Sequence, residues 1–153
     1  MGELILSLLL VAAQAVELPT LVLPAAEGAW VVRIVTSGGF TGRGSGSYTA
    51  SSAGDVACLA AAACPGRLAS DTQRALSRLV NAVPVAAVSR PSSLSTTANC
   101  NDCVTTTMSV RRRDRDEERM QTFSWDETTR ASVPDDVLRL HAAVLALAAP
   151  RSR

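Results

Sequence analysis

The chain has 153 residues, of which 47% are hydrophobic and 19% are charged, and its formal net charge is +1. This length fits one domain with a modest core, and the composition excludes a disordered or highly charged chain. A net charge of +1 offers no electrostatic case for binding nucleic acid, which needs a clustered basic surface, so we expect no nucleic-acid partner.

The first residues, MGELILSLLLVAAQA, contain an apolar run from Leu4 to Ala13 that ends in the small-x-small pattern AQA. The run is too short to span a bilayer, and the pattern is typical of a signal peptide with its cleavage site. We therefore predict a signal peptide over residues 1–15, a secreted or periplasmic protein, and no stable membrane span after its removal. Because Glu3 stands where a positive charge is usual, a start codon farther upstream and a short buried helix are the alternatives.

The next segments predict a β-hairpin. Residues 16–28 contain prolines and are expected to form an extended lead-in to a single domain over residues 29–149. Trp30 to Thr36 alternates between two faces and predicts a strand. Tyr48 to Ser52 predicts the second strand, and we interpret Val56 to Cys58 as its continuation after a turn.

A helix is predicted next. Ser70 and Gln73 have the spacing of a capping box, and Pro84 is expected to end the helix. Residues 85–103 are then expected to be a long irregular connection. The apolar stripe of the helix consists of Leu76, Leu79, Val80 and Val83.

A second hairpin follows. Residues from Val104 to Arg111 alternate with a period of two, and the returning strand places Phe123 and Trp125 on one face. The run RRRDRDEER, from Arg111 to Arg119, lies between them. A basic patch for nucleic acid or heparin is one interpretation, but its five basic and four acidic residues nearly cancel. We therefore expect a solvated hairpin tip.

The last predicted helix completes the domain. Ser132 is expected to cap it, with Pro134 in the first turn and Asp135 and Asp136 at the positive helix end. The element order ββαββα indicates an α+β fold, a four-stranded antiparallel sheet with two helices on one face. The helix residues expected to face the sheet are Val137, Leu140, Val144 and Leu147.

The single histidine, His141, borders the apolar stripe of this helix. As a catalytic base it would need a nucleophile and an orienting acid, and no pattern in the sequence supplies them. We interpret it as a residue on the flank of the helix. An enzyme is thus the least favoured class of function.

The four cysteines are Cys58, Cys64, Cys100 and Cys103. In an exported chain an even number predicts two disulfides, with three possible connectivities. A redox dithiol is less favoured because the C-x-x-C motif lies in a loop that leads into a strand. A zinc site is less favoured because C-x5-C is wider than usual ligand spacing. We expect structural disulfides, and neither a metal nor a cofactor.

The segment TSGGFTGRGSGSY, residues 36–48, holds five of the nine glycines. A phosphate-binding loop would need a following helix, and a strand follows here. A kinase-type loop would need G-x-G-x-x-G spacing and a strand lysine, and both are missing. The segment is therefore predicted to be a hairpin connection that exposes Phe40 and Arg43, either as a flexible tip or as a contact for a partner.

The motif SGGFxG within this element order resembles the emfourin family, small bacterial proteins named for an inhibitor of thermolysin-like metalloproteases. The resemblance runs from about Trp30 to Leu147. It implies a non-enzymatic inhibitor or protease-binding protein whose partner is a thermolysin-like metalloprotease. The alternative is a cell-envelope binding or structural module with the same fold and no inhibitory activity. The implied contact residues are Ser37, Gly38, Gly39, Phe40, Gly42 and Arg43.

Overall fold

The computed structural model describes residues 21–38, 46–59, 64–85, 93–95 and 103–148, and within them the chain has an α+β fold. The strands are β1 (Trp30–Gly38), β2 (Gly46–Ser51), β3 (Val56–Leu59), β4 (Ser93–Ser95), β5 (Val104–Asp114) and β6 (Glu117–Trp125). The helices are α1 (Ser70–Ala82) and α2 (Asp135–Ala146), and a 3₁₀ turn covers Arg130–Ser132.

The six strands form one sheet in the order β3-β2-β1-β5-β6-β4. Five of them pair antiparallel, and β4 pairs parallel with β6. The α+β class is confirmed, but the predicted four-stranded sheet was wrong by two strands. Val56–Leu59 folds back as a separate strand on β2, and Ser93–Ser95 forms β4 inside the connection predicted to be irregular.

Period-two alternation in the central strands builds the core. Trp30, Val32 and Ile34 lie on the face covered by the helices, and all three are buried. Val31, on the opposite face, packs with residues of the lead-in. The sheet therefore has a helix-covered face and an opposite face that no described helix covers, which we call the open face. The lead-in packs on it at Val31, and Ser47, Thr49 and Ser51 of β2 are buried on it, whereas Arg33 is exposed.

Helix α1 begins without the predicted capping box. Ala69 is its N-cap residue, Ser70 is the first helical residue, and no side chain caps the helix. The side-chain amide of Gln73 instead donates a hydrogen bond to the carbonyl of Ser52, next to the end of β2. Gln73 thus ties α1 to the sheet. Helix α1 ends at Ala82, before the proline, as predicted.

Helix α2 also lacks the predicted serine cap. Ser132 belongs to the 3₁₀ turn, and Pro134 occupies the N-cap position. Asp135 and Asp136 do lie in the first turn, where they complement the positive helix end. The predicted stripe is confirmed: Val137, Leu140 and Val144 are buried and Leu147 packs against the core.

The charged run from Arg111 to Arg119 is mostly strand, not tip. β5 and β6 extend to a two-residue turn at Arg115 and Asp116, and Arg115 has φ +56°. Across the strands, Arg111 donates to Glu118 through Nε at 2.8 Å. In the register Arg113 faces Glu118, but Arg112 faces Arg119 and Asp114 faces Glu117. The ion pairs from Arg111 to Glu118 and from Arg119 to Asp114 therefore run diagonally between the two strands.

Candidate contact surface at one end of the sheet

One end of the sheet brings together Gly38, Gly46, Leu59 and Cys103, and we call this the loop end. β1 ends at Gly38, which pairs with Val104, the residue after Cys103. β2 begins at Gly46, beside the last residue of β3. The described residues that flank the glycine-rich segment and both cysteine segments therefore share one edge of the fold.

Two of the predicted contact residues, Ser37 and Gly38, lie at this end, and both are exposed at the end of β1. The other four lie outside the described residues; they are Gly39, Phe40, Gly42 and Arg43.

Gly38 is needed by the fold itself. Its φ is +100°, a conformation that residues with a side chain rarely adopt. A Cβ at this position would lie 2.6 Å from the carbonyl oxygen of Cys103. At Gly38 the missing side chain therefore permits a close approach to the protein's own backbone.

Gly46 fixes the other end of the segment. The hydroxyl of Thr36 donates a hydrogen bond to the carbonyl of Gly46 over 3.3 Å, and the two residues are register partners. A Cβ at Gly46 would be 3.5 Å from the carbonyl oxygen of Leu59, which is ordinary contact. The segment between β1 and β2 is therefore anchored at both ends by a central strand pair.

The structure resolves part of the cysteine pairing. Cys58 and Cys64 form a disulfide with a Cα–Cα distance of 5.8 Å, so the prediction of a structural bridge is confirmed for this pair. Cys103 is disulfide-bonded as well, and Cys100 lies outside the described residues. Leu59 directly follows Cys58 in the chain, and its apolar side chain is 37% exposed.

The position of His141 differs from the predicted helix flank. It is only 8% exposed and meets the ring of Trp125 edge-on, with ring centroids 5.2 Å apart. Its Nε2 is buried and has no hydrogen-bond partner. Burial lowers the pKa of His141, and the positive charge of Arg130 lowers it further. Within the described residues neither a nucleophile nor an acid is hydrogen-bonded to this ring, so it stands as a packed core residue.

Asp126 is the most enclosed carboxylate among the described residues, at 7% exposure. It accepts hydrogen bonds from the hydroxyl of Thr128 at 2.6 Å and the backbone amide of Thr129 at 2.9 Å. The bond from Thr128 contributes most to lowering the pKa of Asp126, against the opposing effect of burial. These bonds close the turn after β6, which gives this carboxylate a structural role.

A depression of about 510 Å³ lies at the β5–β6 turn, lined by Asp114, Arg115, Asp116, Glu117 and Arg119. Arg119 approaches Asp114 at 3.6 Å and Glu117 at 3.7 Å. Arg119 is thus paired with two of the three acidic residues that line the depression. Across the described part of the chain, no group of three histidine, cysteine or acidic side chains is placed to hold a metal ion.

No helix in the described ranges is long and apolar enough to cross a membrane. Comparisons with protein-family models, with curated proteins and with solved structures find no match to this chain.

Proposed function

We propose that this chain is an exported, non-enzymatic protein that binds a thermolysin-like metalloprotease through the segment between β1 and β2. The observation that supports the proposal most directly is the anchoring of that segment at Gly38 and Gly46. Binding residues are often carried on loops that a rigid scaffold holds. A central strand pair of a six-stranded sheet is such a scaffold.

The chemistry of the segment suits a substrate-like contact. Phe40 supplies an apolar anchor for a pocket of the kind that thermolysin-like enzymes use to select substrates. Arg43 contributes at the rim, where a charge affects the rate of encounter more than the affinity. The exposed side chain of Leu59 adds apolar surface at the same end of the sheet. Blocking the cleft is sufficient for inhibition, so this scheme needs no metal ligand.

The disulfides are consistent with export. Disulfides form and persist in oxidising compartments and are rare in the cytosol. Cys58–Cys64 supports the predicted secreted or periplasmic location, in the compartment where extracellular proteases act.

The alternative, an envelope binding or structural module without inhibitory activity, has one observation in its favour. Gly38 is explained by its contact with Cys103 inside the protein, so this glycine does not require a partner. The two functions differ in what Phe40 contributes.

Inhibition of thermolysin by the full chain, with and without Phe40→Ala, tests the proposal. We expect the substitution to weaken inhibition by about 2 kcal/mol or more and to leave the unfolding temperature unchanged. Val22→Ala is the matched control, because Val22 is an apolar side chain on the lead-in with 81% exposure. A chain that does not inhibit, or a Phe40→Ala variant that inhibits as well as the Val22→Ala control, overturns the proposal.

A further inference from the structure

We propose a second binding site, on the open face of the sheet, that takes a carboxylate carried by a short apolar group, with Arg33 as its anchor. This site is independent of the loop end and of the proposed protease contact. A depression of about 220 Å³ opens on this face. Its lining residues are Leu21, Val31, Arg33, Thr49, Ser109, Arg111 and Met120.

Strand register gathers the polar residues of the site. Arg33 is the partner of Thr49 on β2 and of Ser109 on β5, so these three side chains form one row across adjacent strands. Neighbouring Cα atoms in such a row are about 5 Å apart. A guanidinium and two hydroxyl groups thus meet in one depression.

Among the described residues, Arg33 carries the unpaired charge of this face. Its side chain is exposed and has neither an ion pair nor a hydrogen bond within that part of the chain, whereas Arg111 is bound to Glu118 at 2.5 Å and Arg113 donates to the carbonyl of Pro24 at 3.1 Å. The described strands direct only these three arginines and Glu118, among charged residues, onto the open face. One unpaired guanidinium balances an anion of single charge. Its planar N–H groups can donate two parallel hydrogen bonds to the two oxygens of a carboxylate.

Ser109, the register partner of Arg33 on β5, brings a hydroxyl group into the depression. Its side-chain oxygen lies 3.1 Å from that of Thr122 on β6. When Thr122 donates this hydrogen bond, the O–H of Ser109 is available to an acceptor in the depression.

The remaining walls are apolar and the site is small. Val31 is buried in a cluster with Leu23 and Ala29, and Leu21 packs against that cluster. Together with Met120 they place aliphatic surface next to the guanidinium. Sites for drug-sized ligands measure about 300–1,000 Å³, so this depression suits a short chain of a few carbons.

The test is a titration of the full chain with hexanoate, followed through the backbone amide signals by NMR. We expect the largest shifts at Val31, Arg33 and Ser109. Hexanamide has nearly the same shape without the charge, and we expect it to bind at least about tenfold more weakly.

Variants of Arg33 test whether its guanidinium binds the carboxylate. Arg33→Gln is expected to weaken hexanoate binding at least about tenfold, and Arg33→Lys less, because lysine keeps the charge and loses the fork. Arg78→Gln is the control, since Arg78 is an exposed arginine on α1 in the opposite layer. Equal binding of hexanoate and hexanamide, unchanged binding by a folded Arg33→Gln variant, or shifts confined to other strands overturns the site.

Discussion

Gly38 and Cys103 meet backbone to backbone where the pairing of β1 with β5 ends. The α-carbon of Gly38 sits so close to the carbonyl of Cys103 that a Cβ would lie 2.6 Å from the oxygen. Cys103 is also disulfide-bonded. The start of the glycine-rich segment therefore packs against a disulfide-bonded residue, which links the geometry of that segment to the cysteines.

This contact predicts that Gly38→Ala destabilises the domain. The substitution adds both the strain of φ +100° and a clash with the backbone carbonyl of Cys103. Gly28→Ala is the control, because Gly28 has φ +70° and open space around its Cβ position. We expect a loss of about 1–2 kcal/mol for Gly28→Ala and a larger loss for Gly38→Ala, measured by denaturant unfolding. Equal losses would show that the contact with Cys103 is unimportant.

The bridge between Cys58 and Cys64 predicts a smaller effect than a long-range disulfide. Six positions separate the cysteines, and closing so short a loop restrains the unfolded chain by only about 2 kcal/mol. We expect the double variant Cys58→Ala, Cys64→Ala to lose about that much free energy of unfolding. In this variant, any further loss of stability on adding reductant measures the contribution of the disulfide formed by Cys103. A variant as stable as the parent would contradict a stabilising role for the first bridge.

The periodic elements could be predicted because burial on one face leaves a direct pattern in the sequence. The strand alternation predicts that Val32 and Met108 are buried, and the helical spacing predicts the same for Leu76 and Val80. All four side chains lie in the core. Each of these segments is long enough for its period to be read without knowledge of its neighbours.

Short or tertiary features could not be read in this way. β3 has four residues and β4 has three, too few for a period, and each is defined by the strand it pairs with. The cap predicted at Ser70 failed because Gln73 has a tertiary partner, the carbonyl of Ser52. The alternation in β1 places Arg33 on the face opposite Trp30, but only the neighbouring strands show that its charge has no partner among the described residues.

The enclosure of His141 predicts a pH-dependent stability. Because the pKa of His141 is lowered from 6.5 in the folded state, the unfolded chain binds its proton first as the pH falls. Stability should therefore be full above pH 6.5 and should decrease as the pH falls below that value. The shift in Asp126 acts below its ordinary pKa of 3.8, so the two effects occupy separate windows.

Urea unfolding between about pH 7.5 and about pH 5 measures this effect. His141→Leu removes the titrating group and keeps an apolar side chain beside Trp125, so its stability should change less over this range than that of the parent. Parallel pH profiles for the two proteins would contradict the assignment to His141.

The indole of Trp30 gives the last prediction, which also compares the observed link between α1 and the sheet with the cap predicted from the sequence. Trp30 is 1% exposed, and its Nε1 donates to the hydroxyl of Ser77 at 2.9 Å. Ser77→Ala leaves that buried donor without an acceptor, which costs about 1–3 kcal/mol. Ser70→Ala is the matched substitution on the same helix. A capping box would make it cost about 1 kcal/mol, but Ser70 makes no capping hydrogen bond, so we expect almost no change. Denaturant unfolding of the two variants decides the matter: a larger loss for Ser70→Ala than for Ser77→Ala would show that the helix start, and not the bond to Trp30, holds α1 in place.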